Sequence, residues 1–422
     1  MLTTNGKLFS LFTVLFSLFL SVTESNGQAF DPDDPPETTI KLAPYLSFGA
    51  QIEVEYKYQR NLDLDTENDE DLSTLEPEIV FAFLFNPSRY FEAFAALKFA
   101  GEFEFEDGDT KKDQAILEFE QAYLLFKDLW EERLAFQLGR QRFEDERQWL
   151  YDAELDGVRT FLQFSSFLAE FSVSTGGLVN RDLLNKDAGD KINNYIAHGT
   201  YAISEESNVA AYFIFRDNTK ENGDSPIFFG IHSDGELAPD FDYWLELAYV
   251  IGKNGTKDIN GVGFDIGSTY VFDVDYEPSV TLGYAFGQEK FRQTGLQANE
   301  SDFNGAVDFI YYGELLDPEL SNMSIFTAGA GVNPTEESSL DLIYHYYLQT
   351  KASDSLRDAE IDADPEGRNK SLGSEIDFIV GYEGFEEKFA LALSLGYFIP
   401  GNAFPSDSEN AFLTKVIVEY QF

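Results

Sequence analysis

From Leu46 to Tyr58 the chain alternates without a break. Leu46, Phe48, Ala50, Ile52, Val54, Tyr56 and Tyr58 fall on one side, and Ser47, Gly49, Gln51, Glu53, Glu55 and Lys57 on the other. A period of two kept up this long predicts a strand with one apolar and one wet face, longer than the strands of ordinary globular proteins. The pattern returns where Phe91, Ala93, Ala95, Leu97, Phe99, Gly101, Phe103 and Phe105 oppose Glu92, Lys98, Ala100, Glu102 and Glu104. It returns again at the end of the chain, where Phe412, Thr414, Val416, Val418, Tyr420 and Phe422 oppose Lys415, Glu419 and Gln421. Acidic or turn-forming stretches at 63–73, 106–114, 181–193, 217–225, 252–260, 291–304, 351–370 and 402–410 punctuate these segments, with tight turns between.

So many long strands in an open sandwich would leave long edges unpaired, and closing the sheet on itself removes them. The predicted fold is therefore all-β: a single transmembrane antiparallel β-barrel. At roughly 20 to 24 residues per strand and connection it has about 16 to 18 strands. The aromatic end Tyr420-Gln421-Phe422 finishes an alternating strand, as is characteristic of outer-membrane proteins of Gram-negative bacteria. Phe and Tyr near strand ends fit girdles at the two membrane interfaces.

The first segment has a different logic. Lys7 precedes an apolar run from Leu8 to Val22, then small residues at Ser25, Gly27 and Ala29. A run of about 15 residues falls short of the roughly 20 that a spanning helix needs, so residues 1–29 are expected to be a cleaved secretory signal peptide. Residues 30–44 begin Phe30-Asp31-Pro32-Asp33-Asp34-Pro35-Pro36 and form an acidic, Pro-rich lead; 45–422 form the barrel.

Composition narrows the function. Across 422 residues, 76 acidic side chains face 29 basic ones, a formal charge of −47. That charge repels phosphate backbones, so nucleic acid is excluded as a partner. With no cysteine there is no thiol nucleophile and no thiolate metal site. No nucleophile elbow, P-loop, dinucleotide fingerprint or zinc-protease helix occurs, so no enzyme, cofactor or metal site is expected. His198, His232 and His345 are far apart along the chain and read as structural or lumen-facing. Asp63, Asp65 and Glu67 open like a calcium loop, but Asn68 stands where its glycine belongs and Thr74 where its bidentate glutamate belongs.

The densest charge constellation lies between Leu138 and Arg159. Arg140, Arg142, Arg147 and Arg159 sit among Glu144, Asp145, Glu146, Asp152, Glu154 and Asp156. Guanidinium and carboxylate groups so close can form a paired lattice. Two readings stay open: a salt-bridged loop that braces the wall, or a constriction whose basic ladder holds anionic solute groups in passage. Arg159 is opposite in parity to Val158, Leu162 and Phe164 and should face the lumen. Arg140 and Arg142 share parity with Leu134, Phe136 and Leu138, so either a bulge resets the alternation or they lie beyond the lipid band.

In Gly139-Arg140-Gln141-Arg142, Asp145, Arg147 and the step Leu155-Asp156-Gly157-Val158-Arg159, the sequence resembles the alginate export (AlgE-like) outer-membrane proteins. The runs 312–322, 340–347, 372–377 and 398–404 follow in that family's order. The resemblance implies a monomeric barrel of 18 strands that passes a polyanionic polysaccharide through an arginine-lined pore. Arg140, Arg142, Arg147 and Arg159 would line the constriction, with Asp145, Asp152 and Asp156 as partners. The chain departs from this picture in its inward carboxylates: Glu53, Glu55, Glu92, Glu102, Glu104, Glu375 and Asp377. The expectation is an outer-membrane channel passing a polar, anionic saccharide or organic acid by passive diffusion, in contact with lipid bilayer and lipopolysaccharide. The alternatives are a general cation-preferring porin and a plugged structural or adhesive surface barrel.

Overall fold

A computed structural model of the chain describes residues 34–65, 71–176, 178, 182–184, 191–220, 223–386 and 388–422. The expected signal segment 1–29, the start of the lead (30–33), Glu67, Asn68 and much of 181–193 lie outside the described residues. In chain order the strands are β1 (Ile40–Ala43), β2 (Leu46–Arg60), β3 (Asp71–Ser88), β4 (Phe91–Glu106), β5 (Asp109–Asp128), β6 (Leu134–Glu144) and β7 (Asp152–Phe164). There follow β8 (Phe167–Thr175), β9 (Ile192–Ala202), β10 (Ser207–Asn218), β11 (Ser225–Ala238), β12 (Phe241–Asn254), β13 (Lys257–Val271) and β14 (Ser279–Gly287). The last are β15 (Glu300–Ser301), β16 (Phe309–Ile310), β17 (Met323–Thr335), β18 (Ser338–Gln349), β19 (Ser371–Gly384), β20 (Phe389–Pro400) and β21 (Ala411–Gln421).

Eighteen of these, β2 to β14 and β17 to β21, each pair antiparallel with the next in the chain. The barrel closes where β21 pairs with β2, from Gln51↔Gln421 to Arg60↔Phe412. β1 extends the wall past the end of β21, with Ile40 opposite Phe48. β15 and β16 form a separate hairpin.

The alternation read from the sequence is the alternation of the wall. On β2, Ile52, Val54 and Tyr56 are exposed on the outer face, while Gln51 and Glu53 are buried inside. On β4, Phe99 is exposed and Glu92 is buried. At one end of the barrel the connections are short: 89–90, 165–166, 239–240 and 336–337. Trp130, Tyr276 and Phe385 stand exposed on the connections of this end, where an aromatic girdle meets the headgroups. The other end carries the long connections, above all 288–322 and 350–370.

Three loop readings differ from the structure. The stretches 106–114 and 252–260 are mostly strand, joined by two-residue turns at 107–108 and 255–256. Asp107 and Gly108 take φ of 51° and 83°, the left-handed pair that a tight hairpin requires. Polar residues on both faces made these strand ends look like loops, because beyond the lipid neither face needs to be apolar. The third stretch, 291–304, is only the first half of a connection running to Asn322.

That connection makes the core. Phe303, Val307, Phe309, Tyr311, Tyr312, Leu315, Leu316 and Leu320 fold into the barrel and pack with inward Trp244, Phe228, Ile343, Tyr347, Ile379 and Leu413 in one cluster. Trp149, Leu150 and Tyr151 of the β6–β7 loop join it, as do Ile361, Ala403 and Phe404 of later loops. Apolar residues there serve a plug rather than a membrane face.

Candidate functional site

The four arginines meet in and beside the β6–β7 connection. The ladder between β6 and β7 runs in unbroken register from Leu134↔Leu162 to Glu144↔Asp152. Pairing of β6 with β5 stops at Ala122↔Arg140, so Arg140 and Arg142 stand on a stretch of β6 that has left its other neighbour. Gly139, at φ +134°, lies immediately before, and a Cβ there would sit 2.2 Å from the Ala122 carbonyl oxygen. Only glycine fits that crossing.

Each arginine finds a carboxylate. Arg140 holds Asp156 with both Nε (2.9 Å) and Nη2 (3.1 Å), and its Nη1 donates to the Phe119 carbonyl. Arg142 donates from Nε to Asp152 (2.6 Å) and from Nη1 to Asp34 of the lead (2.9 Å), with Glu144 at 3.7 Å. Arg159 holds Glu170 on β8 with two 2.8 Å bonds and donates to the Arg142 carbonyl, with Phe143 4.4 Å from its guanidinium carbon. Two-point pairs of this kind fix both charge and orientation.

Arg147 differs. It sits on the loop with its guanidinium 4.2 Å from the ring centres of both Trp244 and Tyr311, and 3.7 Å from Asp265. Asp265 in turn accepts from Trp244 Nε1 and Tyr312 Oη. The Nε and Nη2 atoms of Arg147 are buried without a hydrogen-bond partner. Aromatic faces stabilise such a cation but leave its N–H groups unused.

The carboxylates divide in role. Asp152 and Asp156 pair with arginines. Asp145 instead accepts the backbone N–H groups of Trp149, Leu150 and Tyr151, and so folds the loop inward. Burial pushes its carboxyl up, against the pull of those bonds. Trp149, so placed, donates from Nε1 to Tyr312 Oη at 2.9 Å.

The sequence reading missed Asp265 and Glu170, which come from β13 and β8, and a second basic group formed by Arg216 on β10 with Arg292 and Arg357 from two loops. Arg292 pairs with Asp224 (2.7 Å) and Arg357 with Glu319 (2.5 Å). No local motif marks these residues, since they come from separate strands and loops. The barrel brings two of the histidines together: the rings of His198 and His232 are 6.1 Å apart, across β10. His345 stands elsewhere, 3.0 Å from Thr327 Oγ1. Among the described residues no group of three or more His, Cys, Asp or Glu is placed to hold a metal ion.

On the inner face of β3 to β5, carboxylates and lysines form ladders. Lys98 lies 3.0 Å from Glu78 and 3.2 Å from Glu120; Lys112 pairs with Glu102, and Lys127 with Glu92.

Comparison with known proteins adds a lineage to this geometry. Residues 44–413 match the family model for alginate export. The chain is similar to the alginate production protein AlgE of Pseudomonas aeruginosa, 30% identical over 131 residues, covering 29% of this chain and 26% of that protein. It is similar to AlgE of Azotobacter vinelandii, 29% identical over 182 residues, covering 36% and 37%. The matched segments thus span 26% and 37% of those relatives' length. Solved barrels share the fold at low identity. Acinetobacter baumannii OccAB4 has a TM-score of 0.59 at 11% identity, covering 93% of this chain and 100% of that one. Pseudomonas aeruginosa OccK11 has 0.57 at 14%, covering 93% and 99%.

Proposed function

Since the chain belongs to the alginate export family, we propose that it is an outer-membrane diffusion channel for a polar solute, with a neutralised arginine lattice and a carboxylate-rich wall that together favour cations over polyanions. Its short-turn end faces the periplasm and its long-loop end the cell exterior, the usual polarity of such barrels. One chain makes the whole pore, and the monomer suffices. The observation that carries this reading is the pairing of all four candidate arginines with carboxylates, set beside Glu78, Glu92, Glu102 and Glu120 on the neighbouring wall. A cation already matched by an anion attracts a passing uronate weakly, whereas on β3 to β5 four carboxylates meet three lysines, and the one negative charge left over favours cations locally.

A second reading has its own support. Arg147 keeps two buried nitrogens, Nε and Nη2, without a hydrogen-bond partner, a capacity that the carboxylate of an anionic saccharide or organic acid would fill. The reversal potential of the refolded protein in a planar bilayer under a potassium chloride gradient separates the two. Cation selectivity supports the first reading. Anion selectivity that disappears in Arg147→Ala supports the second and overturns the first.

A further inference from the structure

The lead that precedes the barrel does not hang free. Gly49 points inward, in phase with Gln51 and Glu53, and the carbonyl oxygen of Glu37 lies 1.9 Å from where a Cβ on Gly49 would be. The Glu37 N–H donates to the Gln421 side chain of the closing strand at 3.3 Å. Pro36 is buried. Asp34 then reaches Arg142 on β6, Oδ1 to Nη1 at 2.9 Å. Three strands, β3, β4 and β5, separate Gly49 from Arg142, so the lead passes these strands on the lumen side.

The register shows what lies beneath it. Gly49 is opposite Ala82, Ala82 opposite Ala96, and Ala96 opposite Gln121, while the next position on β5, Ala122, is opposite Arg140. A level row of very small inward residues, Gly49, Ala82 and Ala96, therefore runs from one anchor of the lead to Gln121, next to the strand that carries the other. Ala82 and Ala96 are 0% exposed. Both cluster with the inward side chains of Val80 and Phe94 on the same wall, which supply part of their cover, and a chain held at both ends of the row runs over the same level.

From these contacts we infer that residues 34–39 form an inward arm that lies across the Gly49–Ala82–Ala96 row, is latched by Asp34 to Arg142, and narrows the passage from the β1 end. Asp34 thereby acts as a tethered carboxylate on one of the four arginines. The seat of the arm stands on geometry alone; its effect on conduction rests on the channel reading above.

Two substitutions release the arm in different ways. Asp34→Arg turns the latch into a repulsion. Gly49→Val adds a side chain where the Glu37 carbonyl sits, leaving Asp34 and Arg142 intact. The chain has no cysteine, so Ala96→Cys supplies a single thiol under the arm. Its reaction with a membrane-impermeant maleimide is the first readout, taken in vesicles on protein whose heat-modifiable gel migration shows a closed barrel. Labelling should be slow in the otherwise unchanged chain and about tenfold faster with either release substitution, the size of a modest population shift. Equal labelling in all three folded proteins overturns the arm. Single-channel conductance is the second readout. A rise with both substitutions supports closure by the arm, and Gly49→Val would then widen the passage by adding bulk to its wall. Faster labelling at unchanged conductance keeps the arm's seat but overturns its role in narrowing the passage, and if no protein conducts, the channel reading is what fails.

Discussion

Two stretches of one wall carry the same residue types and use them differently. On β3 to β5 the inward carboxylates meet lysine side chains, as in Glu78–Lys98–Glu120 and Glu102–Lys112. On β19 the inward Glu375 and Asp377 are 0% and 1% exposed, and Glu375 accepts the backbone N–H groups of Leu315 and Leu316 at 2.6 and 3.0 Å and the Tyr347 hydroxyl at 3.0 Å. By alternation alone both stretches are acidic lumen. One balances charge against charge on the wall, and the other is the socket of a plug. Inward charge in a barrel therefore says little about selectivity until it is known whether solute or chain meets it.

The largest test of that contrast is at the socket. Glu375→Ala should leave two buried N–H groups without partners, at a cost of about 4 kcal/mol. Residues 313–320 should then exchange their amide hydrogens far faster, and conductance should rise. Unchanged exchange would show that the socket does not hold the plug.

Next come the paired arginines. Arg159→Ala strands Glu170 in a buried site and should destabilise the barrel by about 3 kcal/mol, read as a lower melting midpoint in detergent. If the lattice only braces the wall, the double variant Arg142→Ala, Arg159→Ala keeps its reversal potential; a shift toward cations makes those arginines part of the selectivity filter.

A smaller effect should follow pH. Burial first, and then neighbouring carboxylates, push the Asp317 carboxyl of the plug up to about 7; burial pushes Glu319 up to about 7 against the pull of Arg357 and Arg292. Both lie above their ordinary values of 3.8 and 4.5. The docked plug thus binds more protons than the undocked one, and docking weakens as pH rises through about 7. Hydrogen exchange at 313–320 should be slower at pH 5 than at pH 8 after correction for the intrinsic rate; the opposite order would remove these two groups from the account. Smallest of all, Lys111→Ala breaks an exposed pair with Glu106 and should change stability by less than about 0.5 kcal/mol.

The barrel was legible because its alternation is enforced twice, by lipid outside and polar groups inside. Thus Ile52 and Glu53, or Phe99 and Glu92, could be assigned to their faces from parity. The loops at 351–370 and 402–410 were legible too, since proline, glycine and acid cluster there. Asp152 and Asp156 were found near their arginines because a hairpin brings together residues close in sequence. Glu170 was not, although the β7–β8 hairpin brings it to Arg159, because it lies outside the dense charge run; Asp265 and Asp34 were not, because barrel closure and an inward arm set those contacts. The plug was hidden for the opposite reason: Phe309, Tyr311, Leu315 and Leu316 have the apolar character of wall but none of its period.

The closing seam has a kinetic consequence. Gln51 and Gln421 are neighbours in the finished wall, yet nearly the whole chain lies between them. Such a pairing is formed late, since a loop this long must be closed before any of its contacts is gained. Until then β2 and β21 are open edges, each a template for a foreign strand. A formal charge of −47 makes unfinished chains repel one another during that interval, so the acidity that shapes the lumen also protects the barrel before it has one.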